Sequence, residues 1–411
     1  MTDYVWDAGG DGTSWNDDDN WGGSGHPNSN ADKATIGVGS ASISMNLAGG
    51  TGTIGELVLG NGFSGTVTQA YDFTIDTAGG HNGYMTMRGG TWDMNNANLV
   101  VDAVLTVQPN STAGSTNHSN FYARGGDLTV GSKIHCQGVW SSGDGDYVPE
   151  ANFDGGSSTI SCIALFIVAG ADVVMSSDVT TITGSAGGAA FRLDSQTGYN
   201  TYSNGTGTVK FTSASDQLLY SAGQVANGFT QFHDLILEKT SSTLQGLSSV
   251  GFHIKVGGDL TITSGILNTT TTTAVDHDLT VTGACDIGTN GNLDMNDSAV
   301  SLGTLNVANG ASASIIFSGV TTTITLTPNS IHPTWAFSIG ASATANFNGG
   351  TIKFLKTVSG GYLQMGSTHV LNDVIIDTNY DIPFAGHFKA ASLDIQDGNL
   401  NSYGGTTGMT I

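Results

Sequence analysis

"GDLTITSGILNT" (residues 258–269) and "DLTVTG" (278–283) decide how this chain is read. In both, apolar and polar residues alternate until Gly or Asn ends the run. A period of two puts alternate side chains on opposite faces of an extended backbone, so each run predicts a strand with one buried face. The form Asp-Leu-x-aliphatic occurs at 127–130, 234–237, 259–262 and 278–281. Looser versions are "ELVLGNG", "ANLVVDA", "DLTVGSK" and "TLNVANG", while helical periodicity is almost absent. Self-similarity at short spacing points to a repeat architecture.

A longer repeat overlies the short one. "GTGTVKF" (205–211) matches "NGGTIKF" (348–354), "DLILEK" (234–239) matches "DVIIDT" (373–378), and "GDLTITSGILNT" (258–269) matches "ASLDIQDGNLNS" (391–402). The offsets are 143, 139 and 133, in order and slowly shrinking, as loop deletions between fixed strands would produce. A propeller would need a constant blade length with aromatic signatures, and a sandwich a cleanly copied unit; neither pattern is present. Uneven spacing fits a β-solenoid, in which coils stack about 4.8 Å apart while their loops vary. The expectation is an all-β, right-handed parallel β-helix with coils of roughly 20–25 residues and a length on the order of 70–90 Å. Stacked Thr, Ser and Asn side chains, as in "NTTTTT" (268–273), would bond to one another along it.

Composition agrees. Among 411 residues there are 60 Gly and 6 Pro, and charged residues make up 11%, less than half the usual quarter. Disordered chains combine high charge with few β-branched residues, the reverse of this one. The net charge is −23 and almost all the acid is Asp, with Glu only at Glu56, Glu150 and Glu238. Asp suits turns, where its carboxylate bonds nearby backbone N–H groups. Such acidity repels phosphate, so nucleic acid is excluded as a partner. Cys136, Cys162 and Cys285 are too scattered for a disulfide framework or a CxxC metal pair, and each reads as a buried apolar residue. "CIALFIVAGADVVM" (162–175) is too short and too broken to span a bilayer, so no membrane insertion is expected. "MTDYVWDAGG" has neither the basic nor the apolar region of a signal peptide. With Met1 as the natural start, synthesis in the cytoplasm follows.

Half of the Trp residues lie in "WDAGGDGTSWNDDDNWGGSGHPNSNADKATI" (6–36). A solenoid leaves the apolar core of its end coils open, and terminal caps close it. Trp6, Trp15 and Trp21, with Asn20, Pro27 and Asp32, are the candidate cap residues; the rival reading is a sugar-stacking platform. The expected organisation is a cap over 1–36, a first solenoid half over 37–204 and a second over 205–411, in which 205–269 resembles 348–402.

Trp6, Trp15, "NW" at Asn20–Trp21, Pro27 and "DKATI" (32–36) resemble the N-terminal signature of bacterial surface β-helix proteins and the start of autotransporter-type passenger repeats. "TVKF…FHDLILEK…VGGDLTITSGIL…DLTVTG" (208–283) is similar to right-handed β-helix surface proteins and to phage fibre or spike proteins. The sequence departs from secreted members in lacking a signal peptide and a C-terminal membrane barrel. The resemblance implies a rod that acts by structure or adhesion, and some β-helices are polysaccharide lyases or glycosidases.

The residues supply no catalytic set. Glycosidases need two carboxylates facing across a sugar; "SSGDGDYVPEANFDGG" (141–156) holds Asp144, Asp146, Glu150 and Asp154 in what reads as a solvated loop. Arg88, Arg124 and Arg192 are the only arginines, and none lies in an acidic cluster as a lyase would require. "NDDDN" (16–20) lacks EF-hand spacing, which leaves Asp17, Asp19, Asp144 and Asp146 as Ca²⁺ candidates in a chain with no other cofactor expected. "GGDGTS" (9–14) is not a phosphate loop, the His residues are dispersed, and no GxSxG elbow occurs. The expectation is a non-enzymatic virion protein (phage fibre, spike, collar or head-decoration component) assembled in the host cytoplasm. Its partners would be itself, as a homo-oligomer such as a trimer, other virion or surface proteins, and host-surface glycans. A bacterial cell-surface adhesin or extracellular filament subunit is the alternative, and a polysaccharide-degrading enzyme the third reading.

Overall fold

A computed structural model describes the protein at all residues except 24, 48–50, 110–117, 142–145, 149–150, 169, 195–201, 223–230, 247–252, 270–276, 318–321, 329–334, 356–361 and 403–407. The described chain is nearly all parallel β-sheet. Its one helical element is a short 3₁₀ turn, Asp18–Trp21. Two compact units divide it: Met1–Thr208 with Tyr220–Val225, and Val209–Leu219 with Ala226–Ile411.

Alternation built the strands, and stacking orders them. In the first unit Leu57 pairs in parallel with Met85, Met85 with Leu105, Leu105 with Ile134, Ile134 with Leu165 and Leu165 with Phe191. A second column runs Ile43–Met45, Thr66–Gln69, Gly90–Asp93, Ser119–Tyr122, Ala151–Asp154, Ala171–Val174 and Tyr202–Ser203. A third runs Thr51–Ile54, Asp72–Ile75, Leu99–Val101, Leu128–Val130, Ile160–Cys162 and Thr180–Ile182. The chain visits the three columns in the same cyclic order at every pass. The second unit does likewise; one of its columns runs through Leu260, Cys285, Leu305, Phe337, Leu363 and Phe384. These all-parallel coils are compatible with a β-helix-like fold.

The coils are longer than the 20–25 residues expected. Steps along the Leu57 column are 28, 20, 29, 31 and 26 residues, and along the Leu260 column 25, 20, 32, 26 and 21. Connections between columns absorb the difference. One carries an antiparallel hairpin, Val139–Ser141 with Asp146–Val148.

The recurrent Asp has a definite task. Asp234 Oδ1 accepts from the N–H of Asp259 on the next coil at 2.8 Å, and Asp259 Oδ1 accepts from Ala284 N–H at 2.8 Å. Asp72 and Asn98 do the same for Asn98 and Asp127, both at 2.9 Å, and Asp278 for Ala299 at 3.1 Å. Each carboxylate or carboxamide thus extends the backbone ladder one step past the strand end, where an N–H would otherwise need water. The Leu that follows, at 99, 128, 235, 260 and 279, is fully buried. Gly258 and Gly283 precede the receiving residues for a steric reason: a Cβ there would lie 2.1 Å from Asp234 Oδ1 and Asp259 Oδ1.

Corners are tight turns. Ala97 N–H donates to Met94 O at 2.9 Å across Asn95 (φ 47°) and Asn96 (φ 64°), and Gly350 to Phe347 O across Asn348 (φ 30°) and Gly349 (φ 88°). Asn tolerates this left-handed region better than most residues because its short side chain bonds locally. Polar ladders also form: Asn152 donates to Asn120 at 2.6 Å and Asn120 to Thr91 at 3.2 Å. In "NTTTTT", Thr269 donates to Met295 O at 2.8 Å and accepts from Ser298 Oγ at 2.7 Å, while 270–273 lie outside the described residues.

The long repeat appears as equivalent strands. Thr208–Phe211 and Thr351–Phe354 share one burial pattern. Lys210 pairs with Glu238, and Lys353 with Asp377 at 2.8 Å; these are matched positions in the two copies. The third match differs in packing. Leu260 and Ile262 are fully buried, but their counterpart stretch, Ala391–Ser402, is largely exposed, with Ile395 at 46%.

Replacing Asp259 by Ala should lower stability by about 1–3 kcal/mol, because Ala284 N–H loses its acceptor, whereas Asp259→Asn keeps most of it. Urea denaturation of the three proteins followed by circular dichroism checks this.

Candidate functional site

The N-terminal segment is where the sequence concentrates unusual residues, and the structure brings them together. Trp6, Trp15 and Trp21 are 4%, 0% and 3% exposed. Trp21 lies edge-on to both others, with ring centroids 5.0 Å from Trp6 and 4.8 Å from Trp15. Trp15 meets Phe73 at 6.0 Å, and Phe73 meets Trp92 at 6.0 Å, so the indoles run into the interior of the first coils. None offers an open ring face on which a sugar could stack.

Their polar atoms are matched. Trp15 Nε1 donates to Pro27 O at 3.1 Å, and Trp21 Nε1 to Trp15 O at 2.7 Å. Pro27 is buried, and its carbonyl is the acceptor that lets an indole sit inside. Thr2–Val5 pairs with Asp32–Thr35, and Ser14 bridges to Ser44, so the segment adds backbone to the edges of two columns.

Asn20 is the hub of the Gly-Asp loop and is fully buried. Its Oδ1 accepts from Gly10 and Gly12 N–H at 3.0 and 2.9 Å; its Nδ2 donates to Asp11 Oδ1 and Ser14 O, both at 2.9 Å. Asp32 Oδ2 accepts from Asn28 and Ser29 N–H at 3.1 and 3.0 Å, which shapes the turn into the first long strand. Asp11 was not singled out by sequence, yet its carboxylate gathers Ser14 Oγ and the N–H groups of Thr13 and Ser14 besides Asn20. Those hydrogen bonds, Ser14 first, hold its pKa well below the ordinary 3.8.

Asp17 caps the 3₁₀ turn. Oδ1 accepts from Asp19 N–H at 3.2 Å and Oδ2 from Asp11 N–H at 2.9 Å, so both oxygens serve the backbone. Asp19 is exposed. Asp146 begins the short hairpin strand Asp146–Val148, while Asp144 and Glu150 lie outside the described residues. Asp154 Oδ1 accepts from Gly156 N–H at 2.9 Å, closing a turn. Among the described residues no three His, Cys, Asp or Glu side chains are grouped to hold a metal ion.

The remaining candidates are structural in their surroundings. Burial pushes the Cys162 thiol up to about 12, and those of Cys136 and Cys285 higher still; none is in a disulfide. His135 is pushed down to about 4 by burial, helped by Lys133 and Arg192, and lies edge-on to Phe166 at 6.4 Å. "CIALFIVAGADVVM" is apolar because its strand is buried on both faces: Leu165 and Ile167 point inward, and Phe166 packs outward with Ala186, Ala189 and Tyr220. No helix among the described residues is long and apolar enough to cross a membrane.

Sequence reading missed two features of the second unit. A polar groove of about 640 Å³ is lined by Glu238, Ser264, Ile266, Asn290, Asn292 and Ser312. Beside it, Lys239 is wholly buried, a rare position for lysine. Neither announces itself, because residues 22 to 74 apart meet only through the stacking of coils. Comparison with protein-family models, with curated proteins and with solved structures finds no match.

Trp15→Ala should cost about 3–5 kcal/mol, the range for emptying a filled aromatic site, read as a lowered thermal midpoint by circular dichroism. Asp11 contributes stability that is complete above the ordinary carboxylate value of 3.8 and is lost as pH falls through its lower folded value. The stability gap between the protein and Asp11→Ala should therefore narrow from neutral pH to about pH 3. Urea unfolding followed by Trp fluorescence measures it.

Proposed function

We propose that the chain is a right-handed β-solenoid capped at its N-terminal end by Trp6, Trp15 and Trp21, and that it acts as a non-enzymatic structural or adhesive virion protein of the phage fibre, spike, collar or head-decoration type. The observation that carries this reading is the unbroken cycling of the chain through three parallel columns in each unit. Every coil fixes the next through backbone hydrogen bonds, and the interior is apolar throughout, which makes a stiff body suited to bearing or presenting surface. The cap follows from the burial of the three indoles against Phe73, and from the need to cover the core of a first coil.

Carboxylates taken up by backbone N–H groups at Asp11, Asp17, Asp32, Asp234 and Asp259 favour a structural over a catalytic use of the acid. Homo-oligomers, trimers among them, and contacts with other virion proteins or host glycans belong to the same reading.

The test is electron microscopy of the full-length protein purified in its native assembly, with reducing-end assays on a broad polysaccharide panel in parallel. Elongated particles of right-handed coil, with no sugar released, are the expected outcome. Separate globules, a left-handed coil or sustained polysaccharide cleavage would overturn it. Immunolabelling on bacterial surfaces rather than on virions would move the protein to the cell-surface adhesins.

A further inference from the structure

We infer that Lys239 and Gln217 form an intramolecular amide cross-link that ties two successive coils of the second unit. Both side chains are fully buried. Lys239 Nζ donates to Gln217 Oε1 at 2.7 Å, to Ser215 O at 2.9 Å and to Ser213 O at 3.2 Å. A buried ammonium ordinarily sits against a carboxylate; this one is held by two peptide carbonyls and a carboxamide. Asp216 supplies negative charge nearby, but its Oδ1 is engaged by Thr243 N–H at 2.8 Å.

The geometry favours reaction at the carboxamide. Burial pushes the Lys239 pKa down to about 8, so neutral amine is accessible near physiological pH. Loss of the proton that points at Gln217 leaves two N–H groups donating to Ser213 O and Ser215 O. The freed lone pair then faces the Gln217 side chain. Gly265 (φ +88°) on the following coil leaves room for the lysine stem, since a Cβ there would come within 2.7 Å of Lys239 Cβ. Ser242 Oγ also donates to Ser213 O at 2.9 Å, which fixes the turn that carries the amine. Two reactants held in one orientation, away from water, react with effective molarities of about 10⁵ M and above.

The step balances without a co-reactant. The Nζ–Cδ bond forms, the Cδ–Nε2 bond breaks, and Nε2 leaves as ammonia after taking a proton that Nζ gives up. Starting from the ammonium form, the products are a secondary amide and an ammonium ion. Asp216 is the carboxylate placed to relay the proton. The link joins positions 22 residues apart and covalently closes one coil onto the next. Only the first copy of the long repeat has it, because the counterpart of Lys239 is Thr378, also buried.

Intact mass spectrometry of the denatured full-length protein tests this, after incubation at alkaline pH to complete the reaction. The expected mass is lower than that of the sequence by one ammonia, and digestion should yield one branched peptide joining the segments around Gln217 and Lys239. Lys239→Arg and Gln217→Met should each restore the full mass. The wild-type result decides the matter even if a variant misfolds. Full sequence mass with both segments recovered as linear peptides would overturn the inference. So would ammonia lost elsewhere, as at Asn61–Gly62.

Discussion

Backbone hydrogen bonds running from each coil to the next hold everything else in place. Parallel pairing aligns identical positions of successive coils, so an apolar residue lies over an apolar residue and an outward polar one over its like. A slip of one residue would turn the whole interior outward. Leu99 over Phe73 and Leu128 over Leu99 illustrate the register, as do Cys285 over Leu260 and Leu305 over Cys285. The Asp and Asn side chains at strand entries lengthen the ladder beyond the strands themselves, and the stacked rings of Phe121 and Phe153, 5.4 Å apart, lengthen it inward.

This constraint accounts for the chain's acidity. An Asp at a coil entry serves because its carboxylate reaches the N–H group one layer away, a span too long for Ser and awkward for Glu. The N-terminal loop repeats the principle locally, with Asp11, Asp17 and Asn20 collecting backbone N–H groups that a Gly-rich loop leaves unsatisfied. Much of the net charge of −23 is thus an outcome of wiring backbone donors. Buried cations follow the mirror rule, and Lys239 collects carbonyls.

What could be read from sequence was whatever repeats. "DLTI" and "DLTV" marked strands, since alternation survives in any context, and three ordered matches revealed an internal duplication whose ion pairs recur in space. Clustered Trp in a Gly-Asp loop suggested burial, and all three indoles are buried. Coil length could not be read, because connections between columns carry no periodicity. Nor could the roles of Asp11 and Lys239, which depend on neighbours brought close by folding. The run around Phe166 signalled only apolarity; that its strand is covered on both sides needed the Ala186–Ala189 segment in position.

The unequal steps, from 20 to 32 residues, bear on how such a chain changes over time. Lengthening a surface connection costs little, because closure entropy grows only with the logarithm of loop size. Column order tolerates such growth, but numerical spacing does not survive it. Descendants of one ancestor would therefore lose alignable sequence long before they lost their architecture, and kinship among them is better sought in the succession of strand-entry acids and buried leucines than in residue-by-residue identity.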